Sequence, residues 1–189
     1  MLEVRPATTA DHRAVVRVLA TAFADDPVTR WLVPDGRPLE PLFRAHVRSG
    51  AAGAQHLDLA VRDGEAVGVA IWHAPGYHVA TWRQVAALPR YALALRGNLS
   101  RGVAMENLMH GARPSERFWY LAGVGAVRRG EGIGSALLGH RLAQVREPAY
   151  LESSKRENIA LYERFGFVLR DPLRLPDGPE LWPMRRGPA

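Results

Sequence analysis

Three alternating glycines, Gly130, Gly132 and Gly134, lie in the stretch Gly125-Ala126-Val127-Arg128-Arg129-Gly130-Glu131-Gly132-Ile133-Gly134-Ser135, between an apolar run and a helical pattern. Glycine has no Cβ, so such a turn lets the backbone come close to a ligand. A helix start adds unpaired N–H groups and the positive end of a macrodipole. Together they make an anion site suited to a pyrophosphate, and Arg128 and Arg129 add charge. Glycines before a helix also serve as plain turns, so the residues alone leave both readings open.

Two phosphate motifs fit less well. A P-loop needs Gly-Lys-Ser/Thr, and here Gly134 runs directly into Ser135 without the lysine. A dinucleotide site needs Gly-x-Gly-x-x-Gly, but Leu137 holds the third place. Glu152 stands about twenty residues on, where a ribose-binding acid would be, yet too few strands follow for a doubly wound sheet. The histidines at 12, 46, 56, 73, 78, 110 and 140 show no metal-site spacing with a third ligand nearby, so no metal is expected. His73 and His78 flank Pro75-Gly76 and can line a pocket or simply occupy a loop. Ser153-Ser154 lacks a nucleophile elbow. With no cysteine, thiolate chemistry and disulfides are excluded.

The elements that must position these residues follow from periodicity. Leu2 to Arg5 reads as a strand. Thr8 or Thr9 caps a helix carrying Val15, Val16, Leu19, Ala22 and Phe23, broken at Asp25-Asp26-Pro27. A short helical piece runs through Trp31 and Leu32 to Val33-Pro34-Asp35-Gly36, and Leu39 to Gly50 forms a further helix. Leu57 to Arg62 and Ala66 to Trp72 make a hairpin about Asp63-Gly64. Two or three helices are expected over 78–112, broken at Pro89 and Gly97. Phe118 to Val124 is a strand, Ile133 to Val145 a helix, Tyr150 to Ser153 a strand, and Glu157 to Phe165 a helix ended by Gly166. Phe167 to Leu173 and Glu180 to Met184 close the chain as two strands. The order predicts a single 1–189 domain with one mixed α/β sheet and helices on its faces.

At this point the chain resembles a known family. Arg129-Gly130-Glu131-Gly132-Ile133-Gly134 matches the Arg/Gln-x-x-Gly-x-Gly/Ala signature of the GNAT-type N-acetyltransferase superfamily. Asn158-Ile159-Ala160-Leu161-Tyr162-Glu163-Arg164-Phe165-Gly166-Phe167 is similar to that superfamily's downstream Asn…Tyr…Gly-Phe region. The layout is most similar to puromycin N-acetyltransferase-like proteins, through Ala22-Phe23-Ala24-Asp25-Asp26-Pro27, Phe118-Trp119-Tyr120-Leu121 and Leu151-Glu152-Ser153-Ser154.

The resemblance implies an α/β (α+β) GNAT fold: a twisted, mostly antiparallel sheet of six or seven strands, helices on both faces, and splayed central strands. It implies acetyl-CoA as co-substrate. Val124, Gly125 and Ala126 would pair with the pantetheine arm, and Arg129, Gly130, Glu131, Gly132, Ile133, Gly134 and Ser135 would hold the diphosphate. Gly123 and Gly125 about Val124 suit a bulge that parts the strands. Tyr162 becomes the candidate general acid, protonated at neutral pH. Asn158 binds the cofactor or caps a helix. Glu152 becomes the candidate base, with Asp26 as a second candidate; a tyrosine can precede this proline in the puromycin-type proteins, so Asp26 departs from them. Trp31, with Trp72, Trp82 and Tyr91, shapes an acceptor site or packs the core.

The expected reaction is acetyl transfer to a primary amine, of a small molecule first and of a peptide or protein second. A non-catalytic acyl-CoA sensor and a nucleotide-binding regulator are the readings from other classes. The net charge of +6 comes almost wholly from dispersed arginine, Lys155 being the sole lysine. No basic run interleaves with aromatics, so nucleic acid is not an expected partner. With no leader-like start and no membrane-length apolar run, a cytoplasmic protein acting away from membranes is expected.

Overall fold

The computed structural model describes residues 1–34, 36–50, 55–77 and 81–188; Asp35 and His78 lie outside them. In chain order the elements are β1 (Leu2–Pro6), α1 (His12–Ala22), α2 (Pro27–Leu32), α3 (Glu40–Ser49), β2 (Gln55–Arg62), β3 (Glu65–His73), α4 (Thr81–Leu95), α5 (Leu99–Ala112), β4 (Trp119–Ala126), α6 (Ile133–Leu142), β5 (Ala149–Ser153), α7 (Ile159–Glu163), β6 (Phe167–Leu169), β7 (Leu173–Arg174) and β8 (Glu180–Arg186). Among the described residues the sheet has eight strands in the order β1-β2-β3-β4-β5-β8-β6, with β7 also on β8. All pairings are antiparallel except β4 with β5.

Each sheet face carries its own core. On one, Val15, Val18 and Leu19 of α1 and Phe43 and Val47 of α3 pack on Leu59, Val69 and Ile71, with α5 at the margin. On the other, Ile133, Leu137, Leu138 and Leu142 of α6 and Tyr162 of α7 pack on Ala60, Trp72, Leu121 and Leu151. This follows from strand alternation, which sends neighbouring side chains to opposite faces. Burying each such α6 side chain contributes about 1.5–3 kcal/mol. The glycine turn before α6 is therefore anchored to the sheet.

The strand count exceeds the expected six or seven. The stretch Phe167 to Leu173, expected as one strand, is two, because Pro172 has no N–H to continue a ladder. Conversely, Pro89 does not break the helix over 78–112: α4 runs through it. The carbonyl it leaves unpaired is that of Val85, on an exposed turn where water can serve it. Asp63 and Gly64 both have positive φ, 52° and 82°, as the expected two-residue hairpin turn requires. Residues 156–158 form a 3₁₀ turn rather than the first turn of α7.

Candidate functional site

β4 and β5 pair over three residues only, Trp119 with Ala149, Tyr120 with Tyr150 and Leu121 with Leu151. Beyond Leu121, β4 continues along β3 to Ala126, while β5 continues along β8 to Ser153. The two strands part, leaving a wedge-shaped gap in the middle of the sheet.

The groups lining that gap follow from hydrogen-bond parity, because successive N–H groups leave opposite edges of a strand. Trp119 N–H donates toward β5, to the Pro148 carbonyl at 2.8 Å; Val127 N–H donates toward β3, to the Val67 carbonyl at 2.9 Å. Both positions are odd, so regular alternation would aim them at one edge. The register slips between Ile71 and Trp72, leaving Ala122 as an extra residue. That bulge reverses the parity and aims the Val124 and Ala126 N–H groups into the gap. The bulge therefore lies at Ala122, two residues before the expected one about Val124. Gly125 serves packing instead: a Cβ there would meet Ala22 of α1 at 2.6 Å.

At the wide end of the gap is the glycine turn. Gly130 and Gly132 have φ of 79° and 74°, a conformation that favours glycine, and both face open space. Gly132 caps α6 without any side-chain hydrogen bond. The first intrahelical donor is Ala136, to the Gly132 carbonyl at 2.9 Å. The N–H groups of Ile133, Gly134 and Ser135 thus precede the helix ladder. Glu131 is exposed but held by Arg62, and Arg128 lies 3.8 Å from it.

On the α6–α7 face, Tyr162 is 6% exposed and lies beside the Ser153 hydroxyl at the end of β5. Burial pushes its phenol up to about 12, so it stays protonated at neutral pH. Asn158 occupies the N-cap position of α7, yet its side chain makes no capping bond.

On the α1–α5 face, Glu152 is partly exposed as a residue, but its side chain is only 1% exposed. Its backbone meets the gap while its carboxyl is enclosed by Arg113, Tyr120 and Tyr150. Arg113 Nε stands 4.0 Å from Oε1, too far for a hydrogen bond. The guanidinium also lies over the Tyr120 ring at 4.6 Å and donates to Glu106 at 3.0 Å. The two tyrosine hydroxyls are close enough to favour the charged form, but neither closes a well-formed hydrogen bond to it. Burial dominates and pushes Glu152 up to about 7. His73 sits nearby, stacked on Tyr77 at 3.9 Å, and burial pushes it down to about 3.

Comparison with known proteins gives this arrangement a family. No family model matches the chain. The crystal structure of histone acetyltransferase HPA2 and related acetyltransferase from Corynebacterium glutamicum is 31% identical, covers 100% of this chain and 97% of its own, and superposes with a TM-score of 0.77. The chain belongs to the GNAT superfamily of N-acetyltransferases. It is an acyltransferase enzyme. An uncharacterised N-acetyltransferase of Schizosaccharomyces pombe is 26% identical, over 87% of this chain and 74% of that one. A Drosophila melanogaster polyamine N-acetyltransferase that forms N-acetylagmatine shares the fold, with a TM-score of 0.67 at 12% identity over 99% of this chain and 100% of its own. These relatives support the superfamily without singling out the puromycin-type branch.

The acetyltransferase brings Val124, Ala126, the 129–135 turn, Asn158, Tyr162 and the Glu152 backbone around one gap. Asp26 is differently employed. It is buried, accepts from the Thr29 N–H at 2.8 Å as the cap of α2, and takes a hydrogen bond from Ser154. Trp31 is committed to packing: its indole donates to the Asp177 carbonyl at 3.1 Å, and Arg101 covers its ring. Trp72 is wholly buried on the α6 face, away from Glu152, because its strand position alternates with His73. Trp82 is exposed and Tyr91 half-buried.

Arg113, Glu106 and Tyr150 belong to no motif and escaped sequence reasoning. The one signal toward them was the aromatic start of the 118–124 strand. Two surface hollows, of about 230 Å³ beside Arg37 and about 440 Å³ beside Arg48, lie away from the gap and carry none of this chemistry. Among the described residues no three His, Asp or Glu side chains gather as a metal set, and no helix is long and apolar enough to cross a membrane.

Proposed function

We propose that the enzyme transfers the acetyl group of acetyl-CoA to the primary amine of a small molecule. The observation that carries this is the pair of N–H groups, Val124 and Ala126, aimed into a strand gap that opens beside a glycine turn. An extended amide chain can pair there as an added strand, and the diphosphate fits the open N–H groups at Ile133–Ser135. When bound, acetyl-CoA supplies the acetyl group as an activated thioester.

The chain's own residues then divide the work. The Val124 N–H donates to the oxygen that gains charge during transfer. The Tyr162 hydroxyl donates a proton to the departing thiolate. Glu152 takes the proton that the acceptor ammonium must lose. Its carboxylate is enclosed, so that proton travels by water or by the Tyr120 hydroxyl. A small acceptor is favoured by the aromatic enclosure of His73, Tyr77, Tyr120 and Tyr150: His73 stacks on Tyr77, Tyr120 stacks on Tyr150, and a tilted contact between His73 and Tyr120 joins the two pairs. A peptide or protein amine is the second reading, suggested by the likeness to the Corynebacterium glutamicum histone acetyltransferase HPA2 and related acetyltransferase.

Release of free thiol from acetyl-CoA across panels of small amines and lysine peptides tests the reading. Release with the small amines is expected. Thermal stabilisation by acetyl-CoA with no release from any amine would instead make the chain a sensor.

A pH dependence follows from Glu152. A base must be ionised, so kcat/KM should rise through about pH 7, where this group titrates. In Glu152→Gln that limb should vanish and the rate fall; a limb persisting in the variant would assign it elsewhere. Stability carries the opposite sign. The folded protein holds this proton more tightly than the unfolded chain, so the group's contribution is greatest below the ordinary carboxylate range. It is lost as pH rises through about 7.

A further inference from the structure

The wide end of the gap is spanned by one carboxylate. Arg129 lies just past β4 and Lys155 just past β5, on opposite lips. Asp25, in the corner between α1 and α2, accepts from Arg129 Nη2 at 2.5 and 2.7 Å and from Lys155 Nζ at 2.8 Å. The corner is fixed on both sides. Ala22 and Phe23 sit against Gly125 of β4, and Asp26 holds Ser154 beyond β5. The two cations keep the Asp25 carboxyl down to about 2, so it is charged at neutral pH. Lys155 is enclosed, with a side-chain exposure of 11%, whereas Asp25 is 59% exposed.

This bridge has a cost for an anionic ligand. Two cations flank the open N–H groups of the glycine turn, but one carboxylate already offsets half their charge. Arrangements serving affinity alone would leave both cations bare. We propose that Asp25 is a positioning residue that holds Arg129 and Lys155 across the lips of the gap and weakens their grip on the coenzyme's phosphates, so that spent CoA leaves. The inference rests on the reading that the diphosphate sits at the 129–135 turn. The coenzyme's phosphates and Asp25 compete for the same two cations. Loss of the carboxylate charge therefore tightens binding of acetyl-CoA and CoA alike, and turnover becomes limited by release.

Calorimetry with CoA at several salt concentrations tests this on the intact protein. In Asp25→Asn, CoA should bind about three- to tenfold more tightly at low salt, the excess fading as salt screens it. Steady-state kinetics should show KM for acetyl-CoA and kcat falling together. Asp25→Glu should stay near the wild type. In Arg129→Gln/Lys155→Gln, CoA binding should weaken, lose much of its salt dependence and no longer respond to Asp25→Asn. Equal or weaker CoA binding by a folded Asp25→Asn overturns the proposal. So does an unchanged affinity and salt slope in the double variant, which decides the matter even if Asp25→Asn does not fold. Absence of CoA binding by the wild type would instead remove the underlying reading of the turn.

Discussion

Replacing Tyr162 with phenylalanine is expected to lower turnover by about 10²- to 10³-fold while acetyl-CoA affinity changes little. The substitution is chosen for what it leaves intact. The ring is buried against Phe167 in an edge-on contact at 6.2 Å, and phenylalanine preserves that contact. Only the hydroxyl beside Ser153 is lost, costing about 0.5–1.5 kcal/mol of stability as one hydrogen bond. A thiolate leaving without a proton donor is a poorer leaving group, so the loss falls on the chemical step. Single-turnover rates beside calorimetric affinity separate the two effects. Normal turnover in the variant would take Tyr162 out of the chemistry, and a parallel loss of affinity would make it a binding residue.

The largest loss of stability is expected from Asp58→Ala. Asp58 of β2 is fully buried and receives two hydrogen bonds from Arg141 of α6, Nε to Oδ2 at 3.0 Å and Nη2 to Oδ1 at 2.5 Å. The Arg141 side chain is 9% exposed and also lies over Trp119, 5.6 Å from the ring centre. Removing one partner strands the other charge in a place water does not reach, which costs about 3–5 kcal/mol. The midpoint of urea unfolding should fall accordingly. Asp58→Ala/Arg141→Leu should recover part of the loss, because no charge is then left unpaired. A midpoint within experimental scatter of the wild type would show that Arg141 finds water on its own. The pair clamps α6 to the sheet, so acetyl-CoA affinity should fall as well, through looser placement of the glycine turn.

Local features of the chain were legible where one residue type has one physical use. Asp63-Gly64 demanded a tight hairpin, Gly166 a left-handed helix end with φ of 80°, and the alternating glycines an open helix start. Tyr162 was marked by motif context, not by periodicity, since a buried helix tyrosine looks the same whether or not it reacts. The bulge lies two residues before the position the glycines suggest, because glycine spacing does not reveal which residue lacks a partner. Pro89 misled because the effect of a helix proline depends on whether the freed carbonyl faces water. Trp72 stays open in the sequence between acceptor site and core, because an aromatic residue on a strand can serve either face; the fold places it in the core.

By itself the sequence determined the order of the elements, the glycine turn with its open amides, and the superfamily to which they belong. These depend on backbone conformation and on neighbours close along the chain. Only the tertiary structure decided that Arg113 closes over Glu152, that Asp58 holds Arg141, and that Asp25 joins Arg129 to Lys155. Those partners are separated by 39, 83, 104 and 130 residues. Charge pairing at such distances is set by which faces the folded sheet brings together, and no local pattern encodes it.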